Sequence, residues 1–384
     1  MEEIKAKKRK VKSPLIQRGK MDITFFALVS ILLTIGLVML FSASYAYSFA
    51  YFGNSYRFII RQAAFAVVGF ILMMLISKID YHFYRKFSWI IYIVAVFLLV
   101  MLLIFPPMIE GVDFKRWMVI GGLNFQPSEI AKFAIILLFA HLISANYKAM
   151  KTFKFGIVVF GILLGFVCAL VVAEPHLSAT VLIFFIGIIL MIVGGVKFLH
   201  VGLCALVGVA GGALAILTGL VSYGGDRIKY WLDPWADATG SGYQTIQSLL
   251  AIGSGGVLGK GLGQSVQKHL WLPEPHNDFI FSVVCEELGL IGAMIIIVLF
   301  CALVWRGFTI ALKAPDKFGA LLAVGLTFQV GLQMALNVLV VTNTIPNTGI
   351  SLPFFSYGGT ALLILLCEMG IVLSISRSCS LEKV

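Results

Sequence analysis

Apolar stretches of roughly twenty residues, separated by polar or charged segments, recur along the whole chain, at about 22–44, 59–77, 87–105, 128–145, 155–173, 177–195, 200–222, 279–303, 318–342 and 357–376. A helix rises 1.5 Å per residue and needs about 20 apolar residues to cross a hydrocarbon core. The pattern therefore predicts ten transmembrane helices and an all-α polytopic membrane protein. It divides the chain into a basic tail over 1–21, a ten-helix body over 22–376 and a short tail over 377–384.

Lysine and arginine orient the helices. Threading the blocks alternately from an inside N-terminus places eight basic residues in 1–20 on the inner side, followed by Lys78, Arg85, Lys86, Lys148, Lys151, Lys154, Lys197, Arg306, Lys313, Lys317, Arg377 and Lys383. The outer side receives only Arg57, Lys115, Arg116, Arg227, Lys229, Lys260 and Lys268, with Arg61 and Lys132 inside blocks. The positive-inside tendency selects N-in and C-in, and puts the long loop 223–278, between helices 7 and 8, outside the cell membrane.

Composition adds exclusions. With 60% hydrophobic and 12% charged residues and a mean hydropathy of +1.00, the chain has too little polar surface for a water-soluble fold. The net charge of +11 reflects topology, and the run KAKKRKVK before the first span reads as an inside anchor, with no nucleic-acid partner required. No signal-peptide cleavage pattern precedes the first span, which is expected to be retained. The six cysteines form no CxxC pair or His/Cys cluster, so neither disulfide nor zinc is indicated. Short inner loops without a phosphate-binding glycine motif exclude an ATP-driven pump.

The densest chemistry lies in KHLWLPEPHNDFIFSVVCEELG, residues 268–289. Asp278 falls where the polar run meets an apolar block. At a helix start the partial positive charge favours its ionised form, while the membrane edge opposes it. A capping role and a reactive role both fit, and the neighbouring Glu274, His276 and Asn277 raise the second. Upstream, Tyr230, Trp231 and Trp235 suit the headgroup level, and Tyr243–Ile252 reads as an amphipathic, re-entrant segment followed by a glycine-rich turn. Those glycines match no nucleotide fingerprint; they let backbone lie close to a headgroup or to neighbouring helices.

Ionisable groups inside the bilayer are functional candidates. Glu129 and Lys132, three apart at the start of the fourth block, share a helix face and can pair; a structural ion pair and a substrate role stand as equals. His176, in the tight turn AEPHLS with Glu174, reads as a hydrogen-bonded turn residue. Glu368 is expected near the inner end of the tenth block, reaching water or a neighbour.

FQPSEIAK at 125–132, GYQTIQSLLAIGSGGVLGKGLGQS at 242–265, LPEPHNDFIF at 272–281, EELG at 286–289 and PNTGISLPFFSYGG at 346–359 together resemble the signature stretches of the SEDS family, the FtsW/RodA/SpoVE proteins, and look closer to the FtsW/SpoVE branch. The resemblance implies a peptidoglycan glycosyltransferase of the bacterial cytoplasmic membrane. Such an enzyme polymerises lipid II on the outer face, for division or spore cortex synthesis, with a class B penicillin-binding protein transpeptidase and other division or sporulation proteins as partners. It implies that the family's essential aspartate is Asp278, its Arg-Trp pair Arg116 and Trp117, and its intramembrane acid and base Glu129 and Lys132. Two departures stand out: Asn277 replaces a commoner threonine, and PHLS at 175–178 replaces a frequent PDLG turn, which puts a general acid role at His176 in doubt.

The residues fit that chemistry independently. Glycosyl transfer from a lipid diphosphate needs a base for the acceptor hydroxyl and cations for the departing diphosphate. Asp278 supplies the base; Arg116, Lys132, Lys260 and Lys268 are the cations on or near that face, with Glu274 and His276 beside them. A divalent cation, Mg2+ or Mn2+, bridging acids to the diphosphate is compatible, although the sequence assembles no octahedral ligand set. Two other classes remain: a lipid II flippase, which needs polar groups through the whole membrane depth, and a non-catalytic division scaffold, in which Asp278 is dispensable.

Overall fold

The computed structural model describes residues 19–105, 116–120, 123–174, 176–202 and 229–379. Block 200–222 lies almost wholly outside them, as do both tails except for a few residues. Among the described residues, seven helices are long and apolar enough to cross a membrane, and two more apolar helices, Ser88–Ile104 and Leu177–Val193, are shorter.

Local signals set the helix ends. Asp22 caps α1 (Ile23–Phe52) by accepting from Phe25 N at 2.9 Å, and Gly53 ends it in the left-handed conformation. Helix α1 runs past its predicted block, and Ser48 in that extension is buried inside the protein with its hydroxyl donating to Asn54 O. After α2 (Arg57–Ile76), the single turn α3 (His82–Arg85) and α4 (Ser88–Ile104), a small hairpin pairs β1 (Met118–Ile120) antiparallel to β2 (Leu123–Phe125). It feeds α5 (Pro127–Ala145), which has proline at its first turn and Glu129 where the helix dipole favours an acid. Helices α6 (Phe160–Ala173), entered through a wider turn over Lys154–Val159, and α7 (Leu177–Val193) follow.

The segment 243–252, expected to be amphipathic, forms α8 (Tyr243–Gly255). Helix α9 (Ile280–Leu312) then breaks at Gly289, whose φ of 66° and ψ of −170° are not helical. Helices α10 (Lys317–Val341, capped by Asp316) and α11 (Gly359–Cys379) complete the described fold.

Helix α5 is the centre. Ala134 to Ala140 are all at most 1% exposed, as expected of a helix covered on every side. It packs against α4, α7 and α10, while α11 packs on α2 and α9 on α1 and α10. The outward faces are apolar: Ile93 is 61% exposed, Val298 59% and Trp305 78%. Water would not tolerate such a girdle, whereas lipid would.

The break in α9 frees carbonyls and N–H groups that a continuous helix would pair, and the glycine-rich turn takes them. Lys260 N donates to Glu286 O and Gly261 N to Glu287 O, both at 3.0 Å; Leu290 N donates to Gly256 O at 3.0 Å and Ile291 N to Val257 O at 3.2 Å. Gly259 and Gly289 face one another so closely that a Cβ on either would run into the other's backbone. The glycines thus allow the close approach to a neighbouring helix that the sequence suggested.

Candidate functional site

Asp278 lies two residues before α9, with Phe279 as the cap position. It is therefore not the first-turn residue the sequence suggested, and the helix dipole acts on it from further away. Its backbone is held instead. Three successive carbonyls accept hydrogen bonds from outside the segment: His276 O from Tyr357 N at 2.9 Å, Asn277 O from Ser356 Oγ at 2.7 Å, and Asp278 O from Asn337 Nδ2 at 2.7 Å. Two of these donors belong to the strap 346–358, which links α10 to α11 and carries the PNTGISLPFFSYG stretch. Ser178, in the first turn of α7, donates to Thr348 O in the same strap. The next residue, Gly349, has a φ of 70° and faces the Asp278 carboxylate.

The polar start of α5 lies across the strap. Lys132, 1% exposed, pairs with Glu129 Oε1 at 2.9 Å. Glu129 also lines a cavity of about 40 Å³ with Gln329, Gln333, Ser351 and Ser356. His176 is within 3.3 Å of Gln126 Nε2 and 3.4 Å of Ser128 Oγ, the hydrogen-bonded turn residue expected. Burial, followed by the charges of Arg116 and Lys132, pushes its pKa down to about 3. Arg116, Lys132 and His176 thus form one neighbourhood, in which His176 stays neutral and cannot act as an acid near neutral pH. Trp117 is partly exposed just ahead of β1. Burial pushes the nearby Glu174 carboxyl up to about 8.

The remaining candidates have partners of their own. Lys268 Nζ meets Glu287 Oε1 at 2.7 Å, both side chains being fully buried, and Ser42 Oγ of α1 donates to the same carboxylate. Lys260 Nζ meets the buried Glu286 at 2.6 Å, with Ser265 Oγ and Val266 N as further donors to it. Both lysines fasten the 256–268 loop to α9. His276 is 3% exposed and packs its ring against Phe58 and Tyr47, with centroids 4.4 and 4.8 Å away. Burial pushes its pKa down to about 4, which is the setting of a neutral packing group. Glu274 is exposed, adopts a φ of 45° and accepts from Asn277 Nδ2 at 2.9 Å.

Glu368 is tenth of the 21 residues of α11, near its middle and not at the inner end as expected. It accepts from Gln329 Nε2 at 3.0 Å and lies within electrostatic reach of Lys132 and Glu129. Among the described residues no group of three or more His, Cys, Asp or Glu side chains could hold a metal ion. A Mg2+ or Mn2+ ion here would draw most of its oxygens from a bound phosphate and water.

Sequence reasoning missed the amides. Gln62, Gln329, Gln333 and Asn337 are all buried within apolar helices, and the last three recur at four-residue spacing, a pattern visible in the sequence.

The match to the cell cycle protein family FtsW/RodA/SpoVE covers residues 22–381. The chain belongs to this family. It is 40% identical to stage V sporulation protein E of Bacillus subtilis over 93% of this chain and 97% of that protein. It is 38% identical to a probable peptidoglycan glycosyltransferase FtsW of Geobacter sp. strain M18, over 92% and 96%. Among solved structures, Thermus thermophilus rod shape determining protein RodA superposes with a TM-score of 0.69 at 25% identity, covering 93% of this chain and 97% of that one. A chain from a peptidoglycan synthase complex, described for its coordination of polymerization and crosslinking, gives a TM-score of 0.73 at 25% identity, covering 94% and 98%.

Proposed function

We propose that this family member is a peptidoglycan glycosyltransferase that polymerises lipid II on the outer face of the cytoplasmic membrane, with ten spans and both termini inside. The observation that carries the reading is Asp278: a carboxylate on a segment with three consecutive carbonyls pinned, facing a strap that Ser178 of α7 ties down and that shares a cavity with Glu129, the partner of Lys132. In the reaction, the acceptor sugar hydroxyl forms the new glycosidic bond, the bond from the donor sugar to its diphosphate breaks, and the hydroxyl proton passes to Asp278. Arg116 and Lys132 hold the departing diphosphate. Trp117 and Glu274 border the sugars, and Lys260, Lys268 and His276 keep the surrounding loop in shape. The synthase complex similar to this chain supports a transpeptidase of the class B penicillin-binding type as partner, alongside other division or sporulation proteins.

The test is lipid II polymerisation by the purified protein, with and without a transpeptidase. Glycan ladders from the wild type, lost in Asp278→Asn at equal membrane yield, are expected; removal of a general base costs about 10²–10⁴-fold in rate. Lipid II translocation without ladders would favour transport instead.

A further inference from the structure

Gln329, Gln333 and Asn337 succeed one another at four-residue intervals and so lie along one face of α10. They span about 12 Å of helix at 1.5 Å per residue. All three are buried, at 2%, 8% and 0% exposure, in a helix that is otherwise strongly apolar. Each serves a different partner. Gln329 donates to Glu368. Gln333 donates to Ser351 O and Oγ at 3.0 and 3.1 Å. Asn337 directs its amide to two carbonyls, Asp278 O at 2.7 Å and Ile350 O at 2.6 Å.

A side-chain amide has two hydrogens to give, and Asn337 uses them to tie together the two segments that flank the Asp278 carboxylate. One is the residue's own backbone; the other follows Gly349, the glycine that faces the carboxylate. Gln333, one turn below, fastens the next residue of the strap. Without them, buried carbonyls would be left unpaired, and the spacing between Asp278 and Gly349 would depend on the strap alone.

We infer that Asn337 and Gln333 are positioning residues for Asp278: they fix the carboxylate by holding its backbone and the strap opposite it at one separation. The inference rests on the reading of Asp278 as the base. A misplacement of about 1 Å at a reacting group can cost on the order of 10²-fold, so Asn337→Leu is expected to lower kcat by roughly 10- to 100-fold with KM for lipid II essentially unchanged. Gln333→Met acts in the same direction and less strongly.

The experiment combines steady-state polymerisation with hydrogen–deuterium exchange on the detergent-purified full chain. In both variants exchange should quicken in peptides covering 276–282 and 349–352, whereas in Gln329→Met, which loses only the contact to Glu368, those peptides should stay protected. Unchanged exchange in folded Asn337→Leu and Gln333→Met, or a rise in KM with kcat intact, overturns the inference. If Asn337→Leu does not accumulate, Gln333→Met decides by the same two readouts. Absence of ladders from the wild type would sink the polymerase reading, and the exchange pattern would then decide the positioning role on its own.

Discussion

A Cβ placed on Gly349 would stand 3.0 Å from Oδ2 of Asp278. The backbone there, at φ +70°, is one that side chains resist, by roughly 1–2 kcal/mol. Gly349→Ala therefore strains the strap and presses on the carboxylate together. Polymerisation is expected to fall at least tenfold, with a stability loss of about 1–2 kcal/mol, whereas Gly161→Ala inside α6, where nothing lies within 4 Å, should leave polymerisation intact and raise stability by about 0.5–1 kcal/mol. Ladder assays and thermal melts of the two variants check this; full activity in Gly349→Ala would detach the glycine from the site.

The pair formed by Lys268 and Glu287 is a structural tie. Removing either partner leaves a buried charge uncompensated, a cost of about 3–5 kcal/mol. The double variant Lys268→Met with Glu287→Leu should recover stability and polymerisation together. Restored stability with persistent loss of activity would return Lys268 to a substrate role.

The pair formed by Glu129 and Lys132 has similar local geometry and the opposite expectation. Each single deletion should lower membrane yield, again by about 3–5 kcal/mol of stability. Glu129→Leu with Lys132→Met should restore yield but leave lipid II unpolymerised, because Lys132 is needed at the diphosphate. Expression, melting temperature and turnover on the three variants decide it, and an active double variant removes Lys132 from binding.

His276 gives a pH signature. Its folded pKa of about 4 lies below the unfolded value near 6.5, so the unfolded chain takes up a proton first as pH falls. Stability should drop across the window from 6.5 to 4, by at most about 1.4 kcal/mol per pH unit from this residue. His276→Phe should keep polymerisation near the wild-type level at neutral pH and reduce the acid loss, with the share due to His176 remaining. Melting temperatures at pH 7 and pH 5 measure the difference; undiminished acid loss, or loss of turnover at pH 7, would count against a packing role.

Hydropathy located most of the architecture because lipid imposes it. The blocks 59–77 and 318–342 coincide with Arg57–Ile76 and Lys317–Val341 to within two residues. It failed where polarity faces inward: the block predicted for α1 stopped short of Ser48, which is buried, and Glu368 was placed too near the helix end. Among the proposed site residues, Asp278, Glu129 and Lys132 stand out in the sequence as charges at membrane boundaries. Lys260 and Lys268 were read as available cations because a sequence displays charge but not pairing; their partners Glu286 and Glu287 lie 26 and 19 residues away. The amides of α10 were overlooked because uncharged polar residues hardly lower the hydropathy of a long block.

The broken helix and the glycine turn that completes it share one set of main-chain hydrogen bonds. Neither is therefore a portable part. A chimaera that imports the 255–263 turn from a relative without the matching 286–291 stretch exchanges one half of a joint, and the mismatch falls on backbone geometry, which no compensating side chain can repair. Recombination within this family should find its crossover points outside both segments, and engineers who redesign the loop will have to treat residues 255–291 as a single cassette.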